Sequence, residues 1–105
     1  MFIIWTFMKE NQDNLNLLRK ISQKPSVSQR KLATELGFSL GKLNYCLNAL
    51  KQKGFIKIQN FKLNPNKMGY AYILTLKGIR QKTKLTINFM QRKMKEYDEL
   101  KRELE

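Results

Sequence analysis

The stretch from residue 28 to residue 54 is punctuated four times, by Ser28, Gly37, Ser39 and Gly54. A serine side chain is well suited to cap a helix N-terminus, and glycine accepts the left-handed backbone that commonly ends one. Two such intervals in succession predict two short helices, over 29–36 and 40–53. The apolar positions agree with this division. Leu32, Ala33 and Leu36 make an inner face on the first. On the second, Leu40, Leu43, Cys46, Leu47 and Leu50 fall on one side at helical spacing. Gly41, Asn44, Tyr45, Asn48 and Gln52 fall on the other, with Lys42 and Lys51 on opposite flanks. A helix that only filled a core would not spend so many positions on small polar groups.

The surrounding segments extend the pattern. Leu15, Leu18 and Ile21 recur at helical spacing and predict a first helix over 13–23, stopped by Lys24-Pro25. Beyond Gly54, Ile56 and Ile58 alternate with Lys57 and Gln59, which reads as a strand within 55–63. Residues 64–69, NPNKMG, are rich in turn formers, and a second strand follows over 70–74. Thr75 then caps a last helix over 76–104. The expected fold class is mainly α with a small β-hairpin.

That last helix constrains the assembly. At about 1.5 Å per residue it reaches roughly 40 Å, longer than its own small domain can cover. Ile87, Met90, Met94, Tyr97 and Leu104 follow 3,4 spacing, with Leu100 beside a break at Lys101 and Ile79 further up. Two helices from two chains would bury this seam together, and a single core in 105 residues gains from such help. The other reading is a frayed, solvated tail, since five of the eight acids lie in the last ten residues. The organisation expected is an apolar N-terminal extension over 1–7, a domain over 8–76 and a dimerisation helix over 77–105. The extension, MFIIWTF, is far below the roughly 20 residues that span a bilayer and lacks the basic leader and cleavage site of a signal peptide. It is expected to be loosely ordered or packed on a dimer groove, and Met8 would be a natural start for a soluble domain.

Charge narrows the partner. The formal net charge is +13, and no acid occurs from residue 36 to residue 95. That window holds Lys42, Lys51, Lys53, Lys57, Lys62, Lys67, Lys77, Arg80, Lys82, Lys84, Arg92, Lys93 and Lys95, equal to the whole net charge. A field of one sign over one region attracts a polyanion. Lysine used only for solubility is the bland alternative, but solubility does not require so long a stretch without an acid.

Catalysis is disfavoured. The chain has one cysteine, Cys46, and no histidine, so no internal disulfide forms, and the Cys/His ligands of a structural zinc site are missing. A Ser–His–Asp or Cys–His arrangement is impossible, and no P-loop or GxGxxG occurs. Paired carboxylates stay formally open, but the acids crowd a solvated helix end. No metal, cofactor or membrane is expected, and a lone thiol fits a reducing, cytoplasmic setting.

Helix, helix, capped helix and basic hairpin is the winged helix-turn-helix order. Residues 28–58, SQRKLATELGFSLGKLNYCLNALKQKGFIKI, resemble the MarR-type transcription regulators. Leu43, Leu47 and Leu50 followed by Lys53-Gly54-Phe55-Ile56 look like that family's recognition helix running into its wing, and LTLKG at 74–78 like the re-entry into its C-terminal helix. SLGKLNYCL and QNFK, residues 39–47 and 59–62, are most similar to the small MarR-like regulators associated with exopolysaccharide (EPS) gene clusters. In that subfamily a glutamate is usual where Lys31 stands, so the second helix lacks the acid of a capping box. Larger members hold a phenolic ligand in a dimer built with an extra N-terminal helix. Only MFIIWTF and a few polar residues precede the first helix expected here, and no effector is assigned.

The resemblance implies a dimeric regulator of transcription that reads double-stranded DNA, with EPS-related genes as targets. The N-terminal part of the second motif helix would meet base edges in the major groove. Gly41 would let the backbone approach, Lys42 would reach a guanine edge or a phosphate, and Asn44 and Asn48 would pair with adenine. Tyr45 either contacts the DNA or packs across the motif. Arg30, Ser39, Lys62 and Lys67 are phosphate candidates, which position without reading sequence. Cys46 points inward as a small core residue. A winged-helix module that binds RNA or docks on a protein is the alternative. RNA would favour displayed aromatics and docking would favour apolar anchors, whereas this face is small and polar.

Overall fold

A computed structural model describes residues 2–23, 28–60 and 70–105. The element order is α1 (Phe2–Gln23), α2 (Gln29–Leu36), α3 (Leu40–Gln52), β1 (Ile56–Asn60), β2 (Tyr70–Leu74) and α4 (Leu76–Leu104). This is a winged helix-turn-helix with a long C-terminal helix.

The expected caps are in place. Ser28 Oγ accepts from the Lys31 N–H at 3.2 Å, and Ser39 Oγ accepts from the Lys42 N–H at 3.1 Å. One half of the capping box at α2 therefore forms although Lys31 replaces the acid. Gly37 sits at φ 72° and closes α2 by donating to the Thr34 carbonyl, while the Phe38 N–H returns to Ala33. At the other end of the hairpin, Thr75 Oγ1 accepts from the Gly78 N–H at 3.0 Å, and the Thr75 N–H donates to the Phe55 carbonyl at 3.0 Å. These bonds seat the start of α4 directly on the chain leaving α3.

The core joins Leu15, Leu17, Leu18 and Ile21 of α1 to Leu32, Ala33, Leu43, Cys46, Leu47, Leu50, Ile56 and Leu85. Leu17 is fully buried although it lies off the stripe of Leu15, Leu18 and Ile21. The reason is that α1 is enclosed by α2, β2 and α4 together. β1 and β2 pair antiparallel, with Ile56 opposite Leu74 and Asn60 opposite Tyr70. Gln29 Nε2 donates to Tyr72 Oη at 2.8 Å and ties the hairpin to α2.

Three expectations need correction, and one strand residue adds a finding of its own. The first helix does not start near residue 13: α1 begins at Phe2, so residues 2–7 are helix rather than loose chain. No glycine or proline interrupts residues 1–24, and a helix already nucleated adds each further turn at little cost. Leu40 is 44% exposed, because the first turn of α3 projects past the core that receives Leu43. Ile58 is 45% exposed while Ile56, on the same strand face, is buried. The hairpin leaves the domain within two residues, as a wing must. The second motif helix ends at Gln52, with Lys53 as its cap. The expected stop at Lys24-Pro25 and the hairpin tip, including Lys62 and Lys67, lie outside the described residues.

Gly78 marks a close approach between α4 and the chain linking α3 to β1. A Cβ there would overlap the Phe55 carbonyl oxygen and stand 2.8 Å from its carbon. α4 can cross the Phe55 backbone only because this position has no side chain. Among the described residues, no helix is long and apolar enough to cross a membrane.

Candidate nucleic-acid interface

α3 presents two unlike faces. Leu43, Cys46, Leu47 and Leu50 are buried, while Gly41, Asn44, Tyr45 and Asn48 are all exposed. Tyr45 is 71% exposed, which rules out packing across the helix-turn-helix. A Cβ on Gly41 would meet nothing within 4 Å. No neighbour inside the chain requires glycine there, in contrast to Gly78.

Lys42 is placed differently from its companions. Its Nζ lies 2.9 Å from Asp13 Oδ2 on α1, and 4.3 Å from the centre of the Phe38 ring. Asp13 and Lys42 flank a cleft of about 380 Å³ between α1 and α3, which Tyr45 and Cys46 also line. Sequence reading missed Asp13 as a neighbour of α3. The two residues are 29 positions apart, and no local pattern connects them.

Of the phosphate candidates, Arg30 is exposed on α2, and Ser39 is already committed through an oxygen lone pair to the α3 cap. The hydroxyl proton of Ser39 remains available to an acceptor.

Eight other cations of the acid-free window form two groups. Lys77 Nζ donates to the Lys53 carbonyl at 2.8 Å and lies over Phe55, so it caps the C-terminal end of α3. Lys82 donates to Ser22 Oγ near the end of α1, and Lys93 pairs with Glu96. A cation near a helix C-terminus is favoured by the helix dipole. Lys51, Lys53, Lys57, Arg80 and Lys84 are exposed and have no ion-pair partner among the described residues. These supply field rather than local structure.

Cys46 is buried and its thiol pKa is raised. Burial is the main cause, Asp13 and Glu10 add to it, and Lys42 opposes them. A thiol held protonated is a poor nucleophile, as expected of a core residue.

The seam on α4 is open over its whole length. Ile79, Ile87, Met90, Met94, Tyr97, Leu100 and Leu104 are all exposed, whereas Leu85 is buried and Phe89 packs on the core. The helix therefore has one face used by its own domain and a second, apolar face unused by it.

Residues 14–57 match the family described as winged helix-turn-helix DNA-binding. No curated protein matches the chain. Among solved structures, it is similar to Streptococcus pneumoniae FabT, solved in complex with DNA. The identity is 23% and the TM-score 0.58, over 82% of this chain and 58% of FabT. It is also similar to the multiple antibiotic-resistance repressor MarR of Listeria monocytogenes, at 20% identity and TM-score 0.59, over 83% of this chain and 58% of that one. A mutant of Lactococcus lactis ZitR in apo form covers more, 97% of this chain and 74% of its own, at 17% identity and TM-score 0.66. At these identities the likeness is one of fold. The chain spans little more than half the length of FabT and of the Listeria repressor.

Proposed function

We propose that this chain is a MarR-type, sequence-specific regulator of transcription that binds double-stranded DNA as a homodimer. α3 lies in the major groove, and the wing, with Lys62 and Lys67, rests on the backbone or in the minor groove. The observation that carries this reading is the division of α3. One side is sealed in the core, and the other offers an open glycine, two amides and a phenol at the end of the helix that enters DNA in this fold. Asparagine amides match the donor and acceptor pair of adenine. The description of the matched family and the DNA-bound FabT structure support the same partner.

The open seam of α4 supports the dimer, since an exposed apolar stripe of this length is covered by a partner in most soluble proteins. The work of the chain is binding rather than catalysis, and it is done in the cytoplasm. The wording of SLGKLNYCL and QNFK supports EPS-related genes as the targets.

Genomic footprinting of the tagged protein in its own host tests the reading. A two-fold dimer must present both α3 helices to one side of the duplex. The expected footprint is an inverted repeat with half-site centres about 10 base pairs apart, or a multiple of that. A single unrepeated half-site would refute the dimer, and no enrichment on DNA would refute the function. Sites away from EPS-related genes would refute only the targets. Lys62→Ala and Lys67→Ala should weaken all duplexes alike and flatten the salt dependence by about 0.9 per lost phosphate contact.

A further inference from the structure

We propose that Asp13 is a positioning residue that holds the Lys42 ammonium away from the DNA backbone, leaving α3 to read through Gly41, Asn44, Tyr45 and Asn48. The inference rests on the DNA-binding reading above and assigns a role to a residue outside the helix-turn-helix.

Lys42 is restrained at both ends. Its backbone N–H is held by the Ser39 cap at 3.1 Å, and its Nζ is held by Asp13 at 2.9 Å over the Phe38 ring at 4.3 Å. The Asp13 side chain is 19% exposed and that of Lys42 38%, so the pair is partly withdrawn from water. Asp13 is also one of only three acids ahead of residue 96. Glu35 faces Lys20, about two turns further along α1, and Glu10 lies one helical turn from Asp13 along the same cleft.

Transfer of Lys42 to a phosphate would take from the half-buried Asp13 carboxylate the ammonium now 2.9 Å away, beside a polyanion that repels it. Breaking a partly buried pair leaves the more buried charge short of its partner, and the approach of DNA adds to that cost. The ammonium therefore stays on Asp13 as the duplex docks. A neutral pair at the first turn of α3 adds no counterion release, whereas a free lysine there would strengthen binding to every sequence.

The test uses the full chain and a scrambled duplex, with fluorescence anisotropy at several salt concentrations. Lys42→Ala should leave the slope of log K against log salt at the wild-type value. Asp13→Asn should steepen it by about 0.9, which is an extra loss of about 3.5-fold between 50 and 200 mM salt. The double variant should return to the wild-type slope. A Lys42→Ala slope flatter by about 0.9 would overturn the proposal, since Lys42 would already be on a phosphate. An Asp13→Asn protein that weakens at every salt with an unchanged slope would also overturn it, by making Asp13 merely structural. Should Asp13→Asn fail to melt cooperatively, the Lys42→Ala slope still decides. A wild-type chain that binds no duplex would overturn the DNA-binding reading as well, whereas failure of the slopes alone leaves that reading standing.

Discussion

Gly41→Ala should make the protein more stable and a poorer DNA binder. The added methyl meets nothing within 4 Å, and the position lies in the first turn of α3 with ordinary helical backbone. Alanine in a helix is favoured over glycine by about 0.5–1 kcal/mol. For a domain of this size that raises the melting temperature by a few degrees, at about 4–8 °C per kcal/mol. The binding effect has the opposite sign. A methyl forced into a packed contact typically costs about 1–3 kcal/mol, or roughly 5- to 160-fold in affinity for the footprinted site. Gly78→Ala is the internal comparison. There the methyl collides with the Phe55 carbonyl, which backbone cannot yield cheaply, so that variant should lose stability first. Thermal melts followed by circular dichroism, with anisotropy titrations on the same preparations, measure both quantities. If Gly41→Ala binds as tightly as wild type, no duplex backbone or base edge comes close to that position. If it melts lower, the space around residue 41 is not open. Either outcome refutes the reasoning.

Two neighbours on α3 should separate in the same way. Leu47→Ala should cost about 2–5 kcal/mol of stability as a core truncation. Asn48→Ala should leave urea unfolding within about 0.5 kcal/mol yet cost about 1–3 kcal/mol on the specific site and little on scrambled DNA; equal loss on both duplexes would remove Asn48 from the reading face. Because Leu85 and Phe89 pack on the core, a chain cut after Phe89 keeps its domain and loses most of the seam. It should sediment as a folded monomer, and a dimer would move the interface elsewhere. The raised thiol pKa makes the neutral form of Cys46 the stable one in the fold. Its contribution is complete below the ordinary thiol range and is lost as pH rises through the raised value. Cys46→Ala should accordingly flatten the alkaline decline in stability measured by urea titration across that range.

The local grammar of this chain was legible without coordinates. Ser28, Gly37, Ser39 and Thr75 each act through hydrogen bonds spanning three to five residues, so their effect is written in their neighbours. The limits of α2, β2 and α4 follow directly from that, as does the division of α3 between leucines and amides. Where reading fell short, the cause was distance along the chain. Leu17 is buried because three other elements close over α1. Helical spacing alone, which gives one stripe, cannot show this. The N-terminal residues read as an extension, loose or packed on a dimer groove, yet an uninterrupted helix carries residues 2–7 into α1. Leu40 fits the core pattern, but it projects past the point where the core ends.

The candidate site shows the same boundary. Gly41, Asn44, Tyr45 and Asn48 share a face because helix geometry requires it, whatever the rest of the chain does. Only packing decided that Tyr45 stands open and that Lys42 turns to Asp13 and Phe38. Charge on a lysine is a property of the residue, but where that charge is spent depends on which carboxylate the fold brings within 3 Å. For Lys42 that carboxylate belongs to a helix 29 residues away. Periodicity and capping act over one or two turns and can be read from sequence, whereas ion pairs and enclosure depend on contacts that exist only once α1, α3 and α4 have packed together.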